Sequence, residues 1–158
     1  MSTPIAPGEQ ATAEGACSPG STPRTWTIEF EPGTPILTAN QRMHRYARND
    51  RTQELKVKTA MLAKRMRIPA LERADVTTWY ASPPRQKAQR HPLASDALDD
   101  SDGLAPTGKA CLDGLVLGGV FVTDRKRCVR RTTCELAGET HPRGQLCVII
   151  TEVTGGAP

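Results

Sequence analysis

The residues from Asp99 to Asp124, DDSDGLAPTGKACLDGLVLGGVFVTD, concentrate the side chains that can do chemistry. Asp100 and Asp102 alternate, so an extended segment would put both carboxylates on one side. Pro106 suits the first turn of a helix running to about Leu117, where two glycines end it. Lys109 then falls in the first turn, where the helix macrodipole disfavours a cation, and Asp113 lies one turn further on the same face. Leu112, Leu115 and Val116 occupy another stripe, suited to packing on a sheet. The polar face is expected to point Lys109 and Asp113 back toward the acidic loop. Converging carboxylates of this kind suit a divalent cation, which prefers hard oxygen donors. The plain alternative is an acidic loop that only caps a helix.

Other motifs can be excluded directly. A calcium loop with its glycine at Gly103 would need Asp at 98 and Glu at 109, but the chain has Leu98 and Lys109 there. No glycine-rich phosphate loop and no HExxH pair occurs, so no organic cofactor is expected. His44, His91 and His141 are scattered and read as surface or loop residues. The five cysteines (Cys17, Cys111, Cys128, Cys134 and Cys147) form no CxxC pair. Their odd number and the lack of an apolar leader suggest reduced thiols in a cytoplasmic protein. No apolar run approaches a membrane span.

The elements that must position these residues follow from pattern. The 158-residue chain has room for one core, although only 37% of residues are hydrophobic and 4% aromatic. Residues 1 to 23 are small, polar and Pro-rich, and are expected to be disordered. Residues 25–31 alternate Trp26, Ile28 and Phe30 with polar neighbours, as a half-buried strand does. Asn40 to Ile68 is helix-prone, with an irregular start up to Asp50, an inward face of Leu55, Thr59, Leu62 and Met66, and Pro69 as its stop. Residues 74–81 read as a second strand, 82–105 as a long polar loop, and 128–136 and 145–153 as two further strands. Residues 154–158 are a frayed tail. The order β-α-β-α-β-β predicts an α+β domain over 24–153, a small mixed sheet with two main helices packed on it.

The acidic segment, together with LTANQRMHRYAR (37–48) and PRGQLCVIITE (142–152), resembles the RusA family of Holliday junction resolvases, in its actinobacterial and phage form. The resemblance spans about 37 to 152, and the Lys109-to-Val116 segment is its most specific part. It implies that Asp100, Asp102 and Asp124 bind Mg2+, that Lys109 is the essential lysine and that Asp113 is a supporting acid. It further implies a homodimer that nicks four-way DNA junctions symmetrically. Two positions depart from the family pattern: Gly103 replaces an Asn, and Thr123 replaces the first Asp of an Asp-Asp pair. Asp96 and Asp99 are alternative ligands if the loop register shifts.

The formal net charge is +4. Between Arg42 and Arg73 stand ten Lys or Arg against three acids, and Arg125 to Arg131 adds five more beside Asp124. Such runs are usually solvated surface, but here both flank the proposed site. Arg42, His44, Arg45, Arg48, Arg125, Lys126 and Arg127 are the expected contacts to DNA phosphate. Two other readings compete with an endonuclease. One is a weakened relative that binds branched DNA without cutting; the other is a basic interaction domain.

Overall fold

The computed structural model describes residues 22–84 and 101–154. The expectations for a disordered N-terminus, and for Asp96, Asp99 and Asp100, fall mainly or wholly outside these residues. So does His91. The described elements are β1 (Thr25–Glu29), α1 (Arg45–Arg65), β2 (Ala74–Ala81), a 3-10 turn (Ser101–Leu104), α2 (Ala105–Leu117), β3 (Val129–Leu136) and β4 (Gln145–Glu152). They form an α+β domain with a mixed sheet of order β1-β4-β2-β3. The β4 strand runs antiparallel to β1 and β2, while β2 and β3 are parallel. A parallel pair needs a crossover, and α2 lies in the connection between these two strands.

Strand alternation separates the faces. Ile28, Val76, Thr78, Val148 and Ile150 are fully buried, and with Leu37, Leu55, Leu104 and Leu115 they make the core. Thr25, Thr27 and Glu29 on the opposite face of β1 are exposed. An exposed Asp75–Arg130 pair (Arg130 Nε to Asp75 Oδ1 2.9 Å) links β2 to β3 beside a register shift.

The α1 helix begins at Arg45 rather than Asn40, because its cap is His44, whose Nδ1 accepts from the Tyr46 N–H at 3.4 Å. It ends at Arg65, three residues before the expected Ile68. Arg67 takes a left-handed conformation (φ 54°), and the Ile68 N–H closes the helix on the Ala63 carbonyl at 3.1 Å. Met66 therefore sits past the last turn and is 43% exposed, so it is not on the inward face. Leu55, Thr59, Ala60 and Ala63 form the buried part of that face.

These small residues let α1 meet α2 closely. A Cβ on Gly114 would lie 2.6 Å from both the Lys56 carbonyl oxygen and the Thr59 Cβ. A Cβ on Gly108 would lie 3.1 Å from Cys134 Sγ and 3.3 Å from Thr78 Oγ1, so this side of α2 presses on β2 and β3. Burial between these surfaces pushes the Cys111 thiol up to about 12. The Gly119 turn (φ 81°) ends the helix, with the Val120 N–H bonded to the Leu115 carbonyl at 3.0 Å.

The segment leading into α1 is pinned to the start of α2. The buried Thr107 hydroxyl donates to the Leu37 carbonyl and accepts from the Leu37 N–H, both at 2.7 Å. Two residues on, the Ala39 N–H bonds the Gly103 carbonyl at 2.9 Å. Replacing Thr107 by Val keeps the shape but leaves both Leu37 backbone groups without this partner. Such a loss costs about 1–3 kcal/mol. Thermal unfolding should show a midpoint several degrees lower for Thr107→Val and near the wild-type value for Thr107→Ser; an unchanged Thr107→Val midpoint would refute the pinning role.

Candidate active site

Helix α2 carries Lys109 and Asp113 on the strip that leaves both packed sides, and their ion pair measures 2.9 Å. With Ala105 as its first residue, the helix places Lys109 in the second turn, so the macrodipole argument for that position falls away. A different contact accounts for it. After Gly119 the chain is anchored by buried Val120 and Phe121, with the Leu71 N–H bonded to the Val120 carbonyl at 2.8 Å. It then emerges at Val122 and carries Asp124 back to Lys109, where the ammonium donates to Oδ2 of Asp124. Lys109 is thus held by two carboxylates, one on its own helix and one fifteen residues away.

All three side chains remain accessible, at 58% for Lys109, 35% for Asp113 and 40% for Asp124. Exposed ion pairs add little to stability, so water and a ligand can compete for these groups. The hydrogen bond to Asp124, then that to Asp113, raises the Lys109 pKa above the ordinary lysine value. The same bond from Lys109 lowers the Asp124 pKa. The lysine's share of the pairing is lost as pH rises through its raised value, and the aspartate's as pH falls through its lowered one. Between those limits Lys109 is a cation and Asp124 an anion.

Asp102 lies in the 3-10 turn, not in an extended segment, so alternation with Asp100 does not set its direction. Its charge raises the Cys134 pKa, second to burial, which puts the acidic turn beside β3. The four described cysteines are free, and Cys111, Cys128 and Cys147 are buried. Among the described residues no group of three or more His, Cys, Asp or Glu side chains is arranged to hold a metal ion. Carboxylate oxygens are the hard donors a divalent ion takes, and two of the carboxylates here, Asp113 and Asp124, are engaged by the Lys109 ammonium.

The basic residues lie on two segments, one following Asp124 and one following the lead-in that is bonded to the acidic turn. Thr123 Oγ1 accepts the Arg125 N–H at 3.4 Å, and the Arg125 carbonyl accepts the N–H groups of Cys128 and Val129 at 2.9 and 3.0 Å. The resulting turn exposes Arg125, Lys126 and Arg127 beside Asp124. On the other side, the bond from Ala39 to Gly103 brings the lead-in to α1 against the acidic turn; Arg42, His44 and Arg45 follow it, exposed, and Arg48 is half-buried. His141 lies in the β3–β4 connection, its N–H bonded to the Ser82 carbonyl at 3.0 Å. Sequence patterns missed Thr107, because its partner is seventy positions away. A depression of about 350 Å³, lined by Ala70, Leu71, Glu72, Val122, Arg127 and Cys128, contains none of the ion-paired groups.

No family model matches the chain, and no curated protein matches it. Among the described residues no helix is long and apolar enough to cross a membrane.

The ammonium of Lys109 offers a direct check on this geometry. Followed by NMR, it should titrate above the ordinary lysine value in the wild type and move toward that value in Asp124→Asn. Asp113→Asn should produce a smaller shift in the same direction. Titration of Lys109 unaffected by either substitution would contradict the two-carboxylate arrangement.

Proposed function

We propose that this protein is a Mg2+-dependent, structure-selective DNA endonuclease of the RusA type, acting as a homodimer that resolves four-way junctions by paired symmetric cleavage. The observation that carries the reading is Lys109 held between Asp113 and Asp124, with the exposed basic run Arg125–Arg127 following Asp124 directly. The resemblance in sequence supplies the substrate; the ion-paired cluster supports the chemistry.

In this reading Asp100, Asp102 and Asp124 are the metal-binding carboxylates. A divalent ion bound there would activate water and offset phosphate charge. Lys109 contributes through its own charge: it can leave one carboxylate for a phosphate oxygen and stabilise negative charge as it builds on the reacting phosphate. Asp113 keeps the lysine charged and on the correct face of α2 while it does so. Arg42, His44, Arg45 and Arg48, with Arg125, Lys126 and Arg127, bind the DNA backbone without reading sequence. Two active sites at fixed spacing in a symmetric dimer would provide selection for a branched shape.

A second reading, a weakened relative that binds branched DNA without cutting, is favoured by two details. Thr123 caps a turn where the family pattern has a carboxylate. At position 103 a glycine supplies only its backbone carbonyl, which accepts from Ala39.

A labelled four-way junction and a linear duplex, each incubated with the protein in Mg2+ or EDTA, distinguish these readings. The endonuclease should place paired nicks in the junction only with Mg2+. Asp102→Asn should abolish them, and Lys109→Ala should slow them by at least about 100-fold, the scale of losing one transition-state donor. Tight junction binding without nicks would establish the second reading instead. Equal, weak binding to both DNAs would exclude both.

A further inference from the structure

Tyr46 has no role in the site described above, yet it is the one aromatic among the exposed large apolar side chains of the described residues, at 65%. It stands in the first turn of α1, a turn without an acidic residue. The His44 ring packs against it with centroids 5.3 Å apart and planes inclined at 32°. The Arg45 guanidinium lies 5.3 Å from the ring centroid. The ring is therefore steadied by two neighbours while most of its surface stays in water. A lone exposed aromatic is ordinary; one set among Arg42, His44, Arg45 and Arg48 has the make-up of a nucleic-acid stacking surface.

Its position supports a particular ligand. Ala39, bonded to Gly103 beside Asp102, precedes Tyr46 by seven residues, at most about 25 Å of extended chain. Arginines suffice to hold phosphate, and a neutral ring face adds nothing to that contact. What a ring face can take is the flat face of a base, with Arg45 adding a cation–π contribution. Inside a duplex those faces are covered by neighbouring bases. At a branch point they can open.

We propose that Tyr46 is a stacking platform for an unpaired nucleobase at a DNA branch point, giving the protein a preference for branched over continuous duplex. The proposal rests on the DNA-binding reading above and names the part of the substrate that the α1 end recognises.

The test measures binding of the full-length chain, in EDTA so that no strand is cut, to a four-way junction carrying 2-aminopurine at the branch point and to a linear duplex. Wild-type protein should bind the junction more tightly and quench its fluorescent base. Tyr46→Ala should weaken junction binding by about 5- to 150-fold, the range for losing one base–aromatic stack. It should abolish the quenching and leave duplex binding unchanged. Tyr46→Phe, which keeps the ring and loses only the hydroxyl, should behave as the wild type. Thermal midpoints of the variants would confirm that the exposed site has been altered without unfolding. Equal loss on junction and duplex, no loss on either, or a Tyr46→Phe defect matching Tyr46→Ala would each overturn the stacking role. If the wild type binds junction and duplex with equal, weak affinity, the DNA-junction reading itself fails, an outcome distinct from a wild-type preference that survives Tyr46→Ala.

Discussion

Everything at the candidate site depends on α2 being gripped on two sides. Gly108 meets β2 and β3, and Gly114 meets α1, both at distances that leave no comfortable space for a Cβ. At roughly 100° per residue, Lys109 stands about 100° round from Gly108 and about 140° from Gly114. Turning the helix by a single residue would drive Lys109 toward the β2–β3 face, where an unpaired ammonium could not be buried. The close contacts thus fix the rotation of α2, and the rotation puts Lys109 and Asp113 where Asp124 can reach them.

The lead-in to α1 is bound to the same helix. Thr107 holds Leu37 by both backbone groups, and Gly103 holds Ala39, so the basic start of α1 is coupled to the acidic turn through the first residues of α2. The Arg125–Arg127 turn is tied in from the other end, through the buried Val120–Phe121 anchor and the bonds that Arg125 makes to Cys128 and Val129. One helix therefore organises an acidic cluster and two cationic flanks. The exposure of its ion pairs makes them poor sources of stability but leaves them free to exchange partners with a charged ligand.

Much of this was legible in the sequence because it is local. Alternation in Trp26-Ile28-Phe30 and the aromatic and β-branched content of 74–81 marked strands, while Pro106 and the Gly118-Gly119 pair bracketed α2 to within a residue. What could not be read was either non-local or conformational. The Lys109–Asp124 and Thr107–Leu37 contacts join distant positions and leave no periodic trace. Pattern alone extends α1 to Ile68, because Arg67 occupies a left-handed position that glycine more often fills. Acidic, glycine-containing stretches do not announce a 3-10 turn, so pattern alone leaves Asp102 in an extended loop.

In the proposed endonuclease Asp124 and the acidic turn serve a common divalent ion, and Mn2+ can locate it, since its hard-oxygen preferences match those of Mg2+. Adding small amounts of Mn2+ to isotope-labelled protein should broaden the amide signals of Asp102, Gly103 and Asp124 before others, and Asp102→Asn should suppress the effect. Broadening centred elsewhere, or spread evenly over the acidic surface, would contradict it.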